Sequence, residues 1–256
     1  MNLHEADKLV KTWLKYVKEN LVPDRLKEVS FSTKKNYRDL VTSVDKNVEQ
    51  YLREQINESF PDADIIGEES SNGNYNTSTS KIWLIDPIDG TANFVKQNED
   101  YCVMMAYFED DIPMLSYIYN VYRDELTYAI RGQGVYVSER KLSSPHNIGL
   151  KDAMVSVDIR RMFETKLCRE LIENSFDLRY VGSAGLDAVK VAMGCFGGYF
   201  SPMAGGPWDF APMILIAEEL GLHLSTWNNE PLNIKRTTSF MLCTNQIYED
   251  IKGYIE

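Results

Sequence analysis

The chain has 256 residues, 44 % hydrophobic and 25 % charged, which is ordinary globular usage and excludes collagen-like or disordered classes. With 27 basic against 38 acidic residues the formal charge is -11, so most of the surface would repel a nucleic acid polymer or an anionic membrane. A small anion is not excluded, because a bound divalent cation governs the field in its own neighbourhood.

The start, MNLHEADKLVKTWLKYVKEN, sets Leu3, Ala6, Val10, Trp13, Leu14 and Val17 on one stripe between charges. That spacing predicts an amphipathic helix over 3–20 and is unlike a secretory leader. No run approaches the ~18 apolar residues of a membrane span, and the expected location is the cytoplasm. SFSTKKNYRDLVT reads as a polar, basic loop. A second helix is predicted over 43–58, followed by a short strand at Ile65-Ile66 and a buried strand at 81–85. In the latter, Pro87 is expected to stop the strand.

From Tyr101 to Val137 four apolar runs separated by turn residues predict an antiparallel meander. Beyond residue 145 the pattern becomes strand 153–157, helix 163–174, strand 178–181, helix 184–194, strand 197–201 and helix 209–220. Strands 222–226 and 239–243 and a helix over 246–254 follow, the alternation of a layered α/β unit. SERKLSSPHN marks the seam between an N-terminal α+β half, 1–144, and a C-terminal α/β half, 145–256. The four cysteines, Cys102, Cys168, Cys195 and Cys243, lie far apart without a Cys-x-x-Cys pair and predict neither zinc nor a disulfide framework.

Three segments carry the chemistry. In WLIDPIDGTANF an apolar strand delivers Asp86, Asp89 follows three residues on, and Gly90 permits a tight turn into Thr91. Two converging carboxylates without His or Cys suit a hard cation such as Mg²⁺. Amide groups after Thr91 could hold a phosphate oxygen. IIGEES ends a strand in Glu68 and Glu69, and GPWDFAP opens an apolar helix with Asp209 at its start. Taken alone, each reads first as an ordinary structural feature: a capped turn, a solvated loop and an N-cap, respectively.

In this order the three segments resemble those of the inositol monophosphatase family of lithium-sensitive, magnesium-dependent phosphatases. The resemblance extends through DLVTSVD at 39–45 and GSAGLDAVKVAMG at 182–194 and spans nearly the whole chain. It implies a layered α-β-α-β-α sandwich, α/β and α+β in class, with the site between the halves. It also implies a homodimer, a small phosphorylated metabolite as substrate, and two or three Mg²⁺ per site.

By the same resemblance, Glu68, Asp86 and the Ile88 carbonyl would hold one Mg²⁺, and Asp86, Asp89 and Asp209 a second. Glu68 would share in a third, with Glu69 assisting from behind. Gly90 and Thr91 would meet the phosphate, and Thr91, oriented by Asp45, would act on the attacking water. Gly182, Ser183 and Ala184 would face the organic part of the substrate, and Lys34 would sit in a loop over the site.

One departure bears on substrate choice. Inositol-specific members carry a glutamate shortly before the Trp-Asp pair, whereas YFSPMAGGPWD offers Ser201 or Pro202 there and no carboxylate. The expectation is a roomier mouth admitting NADP(H), a nucleotide or a sugar phosphate beside inositol monophosphate. The alternatives are an NADP(H)/3′-nucleotide or fructose-1,6-bisphosphate phosphatase with little inositol activity, and an inactive metabolite- or partner-binding homologue.

Overall fold

The computed structural model describes residues 2–22, 31–33, 40–71, 73, 75–158 and 165–255. Lys34, Lys35 and the loop-closure expectation lie outside the described residues.

Helix α1 (Leu3–Tyr16) opens on a capping box in which Asn2 and Glu5 satisfy each other's backbone N–H groups. A π-helical turn, Val17–Leu21, completes the first helical stretch. The segment read as a basic loop is bounded by a hairpin: β1 (Phe31–Thr33) pairs antiparallel with β2 (Leu40–Thr42). Three-residue strands carry too little hydrophobic pattern to be seen in a polar segment. Helix α2 (Ser43–Ser59) follows directly, with Thr42 and Asp45 forming its capping box.

Seven strands then build one sheet in the order β3-β4-β5-β6-β7-β8-β9. They are β3 (Asp64–Gly67), β4 (Lys81–Asp89), β5 (Cys102–Glu109), β6 (Ile112–Asn120), β7 (Glu125–Ile130), β8 (Gly134–Val137) and β9 (Arg140–Lys141). Strand β3 runs parallel to β4, and every later neighbour is antiparallel, with β5 to β8 forming the predicted meander. Pro87 does not end β4. The strand continues to Asp89 through a register shift against β5 between Asp86 and Asp89. An irregular position is where a residue without an N–H is tolerated.

A second sheet has the order β11-β10-β12-β14-β13. Its strands are β10 (Met154–Val157), β11 (Asp177–Arg179), β12 (Gly198–Gly205), β13 (His223–Thr226) and β14 (Thr238–Cys243). Helices α4 (Lys166–Asn174), α5 (Ala184–Ala192) and α6 (Pro207–Leu220) connect them, α7 (Asn245–Ile251) follows β14, and α3 (Thr91–Gln97) follows β4.

Alternation along β4 explains the layering. Ile82 and Leu84 point into a core shared with α5, α6, β12 and β14, while Trp83 and Ile85 point into a core capped by α1 and α2. A third core lies between the second sheet and α4 and α7. The layers are therefore α-β-α-β-α, as the resemblance implied, with α5 and α6 in the middle layer. The nearly all-round apolar surface of α6 is what burial between two sheets requires. Where Pro212 interrupts α6, its carbonyl accepts the Ser116 hydroxyl of β6 at 2.5 Å. Among the described residues no helix is long and apolar enough to cross a membrane.

Candidate active site

The parallel strands β3 and β4 end side by side, and Glu68 follows one while Asp86 and Asp89 close the other. The start of α6 brings Asp209, and the start of α5 reaches Asp89. Segments distant in sequence thus meet beyond the carboxyl ends of two parallel strands, a common place for ligands in α/β sheets.

Asp86 is 2 % exposed and accepts the Ile88 N–H at 3.1 Å. Burial raises its pKa well above the ordinary carboxylate value, and the charges of Glu68, Asp89 and Asp209 raise it further. Asp89 is raised by burial as well, but donors oppose the shift. Its Oδ2 accepts the Ser183 hydroxyl at 2.6 Å, the Gly185 N–H at 2.7 Å and the Cys102 thiol at 3.4 Å. Ser183 is the N-cap of α5, so Asp89 sits against the positive end of that helix.

Asp209 is not the N-cap predicted from sequence. Gly206 holds that place and Pro207 the first helical position, which puts Asp209 one turn in. Gly205 and Gly206, just before this helix, lie close against side chains of its first turn. A Cβ on Gly205 would overlap the Asp209 carboxylate, and one on Gly206 would overlap the Trp208 ring. Both glycines are there for close approach.

The Thr91 hydroxyl lies 3.0 Å from the Ile88 carbonyl and 3.2 Å from Asp45 Oδ1. Asp45 is fully buried; burial raises its pKa, opposed by hydrogen bonds from Thr42 and Thr91. Its other oxygen receives the Thr42 N–H at 2.9 Å and the Thr42 hydroxyl, so one carboxylate caps α2 and orients Thr91. Gly90 has φ 88°, a left-handed conformation that permits the turn from β4 into α3.

Of the stretch expected to face substrate, Gly182 and Ala184 are half-buried, whereas Ser183 is 2 % exposed and its hydroxyl is committed to Asp89. Strand β12 is irregular against β14 between Ser201 and Gly205. Ser201 is buried there, and its hydroxyl turns onto the Met203 carbonyl at 3.2 Å.

Two contributors escaped the sequence reading. Cys102 supports Asp89, and Asn93 Nδ2 bridges the Asp100 and Val181 carbonyls at 2.8 and 2.9 Å, tying the β4 loop to the α5 entrance. Neither has a local signal, since each partner is distant or is main chain.

As the side chains stand, no group of three or more His, Cys, Asp or Glu among the described residues is arranged to hold a metal ion. The electrostatics nevertheless gather Glu68, Asp89 and Asp209 around Asp86. The donor set is oxygen only and self-repelling, with Asp86 and Asp89 buried and Glu68 and Asp209 half-buried, the chemistry that suits a hard divalent cation.

These features place a cluster of acids within a five-layered sandwich. The family model of the inositol monophosphatase family matches residues 3–253. The inositol-1-monophosphatase of Bacillus subtilis is 29 % identical over 255 residues, covering 98 % of this chain and 96 % of that protein. A solved staphylococcal IMPase complexed with products is 35 % identical with a TM-score of 0.91, covering 99 % of this chain and 96 % of its own. An IMPase/NADP phosphatase solved with NADP and Ca²⁺ is 35 % identical, also at 0.91, covering 98 % and 95 %. The chain belongs to the inositol monophosphatase family. It is a phosphoric monoester hydrolase.

Proposed function

We propose that the chain is a Mg²⁺-dependent phosphomonoesterase of broad choice, hydrolysing inositol monophosphate and bulkier small phosphates such as NADP(H) or a nucleotide. The observation that carries the metal is Asp86: a buried carboxylate whose surroundings include three further acids. Such a group is expensive to ionise unless a cation compensates it. Glu68, Asp86, Asp89, Asp209 and the Ile88 carbonyl would hold Mg²⁺, which supplies charge neutralisation of the phosphoryl group and a nucleophile at neutral pH.

The chain's own residues do the rest. Asp45 can take the Thr91 hydroxyl proton at Oδ1, which turns Thr91 Oγ1 into an acceptor for a proton of the attacking water. The first amides of α3, at Gly90 and Thr91, have no intrahelical acceptor and would meet phosphate oxygens. Asp89 is kept in place by Ser183 and the Gly185 amide, which is the role supported for Ser183.

Breadth follows from the wall of the mouth. No carboxylate lies between Tyr199 and Trp208, and the Ser201 hydroxyl is occupied locally. A site that does not bond substrate hydroxyls cannot strongly reject substrates lacking them. The relative solved with NADP and the Thermotoga maritima protein named fructose-1,6-bisphosphatase/inositol-1-monophosphatase fit such breadth. A phosphate-release panel with Mg²⁺, comparing kcat/KM for inositol 1-phosphate, NADP(H), 2′- and 3′-nucleotides and fructose 1,6-bisphosphate, tests it. The expected spread is within ~10²-fold; a larger preference for inositol phosphate would overturn the reading of the mouth.

A further inference from the structure

Helix α2 carries Asp45, Glu49 and Arg53 at four-residue intervals, which places all three along one face. Asp45 reaches the Thr91 hydroxyl beyond β4. One turn further, Glu49 is 2 % exposed and reaches the loop beyond β3 instead. Its Oε2 accepts the Glu69 N–H at 2.7 Å, and its Oε1 accepts the Ser70 N–H at 3.0 Å. Arg53 adds a bond from Nη1 to the Ser70 hydroxyl at 3.0 Å.

Gly67, on the other side of Glu68, is pressed against the same carboxylate. A Cβ at position 67 would overlap the Glu49 side chain, although the backbone there is in a region open to any residue. The three nearest atoms that a side chain at 67 would meet all belong to the Glu49 carboxylate. Glu68 is flanked before and after by contacts to one buried carboxylate.

We propose that Glu49 is a positioning residue for Glu68. Its two charge-assisted hydrogen bonds fix the backbone of residues 68–70, and that backbone sets how Glu68 reaches toward Asp86. Through Asp45 and Glu49, the single rigid α2 holds the two loops that bear the acids and Thr91 at a fixed separation. A carboxylate is required because two N–H donors converge on it. Glutamine offers one acceptor oxygen and would turn its amide hydrogens toward the second donor.

The proposal rests on Glu68 serving as a Mg²⁺ ligand, and its test separates the two ideas. Mg²⁺ binding is measured by calorimetry, and the Mg²⁺ dependence of phosphate release by titration, on the wild type, Glu49→Gln, Glu49→Ala, Gly67→Ala and the Glu49→Ala/Gly67→Ala pair. Melting in EDTA reports the fold independently. Glu49→Gln should weaken Mg²⁺ binding at least ~10-fold while kcat at saturating Mg²⁺ stays within ~3-fold, the pattern of a residue that orients a ligand. Gly67→Ala should weaken Mg²⁺ similarly by displacing the carboxylate without deleting it, which keeps the test usable if Glu49→Gln folds poorly. In the Glu49→Ala background, Gly67→Ala should cost nothing further, because the space is vacant. Unchanged Mg²⁺ affinity in Glu49→Gln and Gly67→Ala, or full additivity in the pair, overturns the proposal while leaving the Glu68 assignment standing. A wild type that binds no Mg²⁺ overturns that assignment and the proposal with it.

Discussion

Asp187 gives the sharpest quantitative expectation. It lies in α5, 1 % exposed, and among the described residues neither of its oxygens closes a hydrogen bond of good geometry. The Ser156 hydroxyl and the backbone at Val181 and Gly182 lie near enough to oppose the shift in part. Burial, with the charge of Asp89 adding to it, pushes the carboxyl up from 3.8 to about 7. Between those two values the folded protein holds a proton that the unfolded chain has released. The native state then binds more protons, so stability must fall as pH rises through this window, and the loss is complete above about pH 7. Three pH units at about 1.4 kcal/mol each put the upper limit near 4 kcal/mol.

Asp187→Asn keeps the shape and removes the charge, so it should change little at pH 4.5 and stabilise at pH 8.5. At roughly 2–4 °C per kcal/mol for a chain of this size, and with relaxation recovering part of the cost, the variant should gain at least ~4 °C in Tm relative to wild type between those pH values. Melting in EDTA avoids any contribution from cation binding. Asp45 and Asp86 are also raised by burial and slope the same way, but they are common to both proteins and cancel in the difference, whereas the coupling of Asp89 to Asp187 is part of the effect measured. Parallel pH profiles for the two proteins would refute the assignment of a buried, ionising Asp187.

At Asp86, substitution by Asn should reduce turnover at least ~10³-fold, and Glu69→Gln should cost far less, as kcat at saturating Mg²⁺ would show. The same Asp86→Asn should raise Tm in EDTA by a few degrees, because it removes a buried charge facing three others, while abolishing most of the stabilisation by Mg²⁺. Thr91→Ala and Asp45→Asn should lower kcat strongly with Mg²⁺ affinity nearly intact; equal losses of rate and affinity in calorimetry and kinetics would reject their role in water activation.

The fold was legible wherever one periodicity ran long enough. The stripe of α1, the meander of β5 to β8 and the strand–helix alternation beyond Met154 are all written in hydrophobic spacing. The failures are local and share a cause. The β1–β2 hairpin is too short to show a period, the continuation of β4 past Pro87 depends on a bulge set by β5, and the displaced N-cap of α6 reflects Pro207 occupying the first helical position. In the site, the acids themselves stood in recognisable segments. Their supports did not, because Glu49, Cys102 and Asn93 act on backbone or on residues brought close only by the fold.

Asp86 and Asp89 show why those supports matter. They are three residues apart on one strand end and burial raises both, yet beyond burial their neighbours act in opposite directions. Around Asp89 the start of α5 supplies Ser183 and the Gly185 amide, and Cys102 approaches from β5, so donors offset part of the burial. At Asp86 burial dominates, the largest contributions all raise the pKa further, and three of the contributing groups are themselves acids. An apolar residue of similar volume at this position would avoid the cost of burying a charge. Keeping an uncompensated carboxylate among three acids at the end of two parallel strands stores a local deficit of positive charge. Asp89, already oriented by the middle helical layer, gives that deficit a fixed edge. The result is a place prepared for a cation on one side and for the anionic group it would attract on the other, which is how a chain of net charge -11 can take a phosphate ester as its substrate.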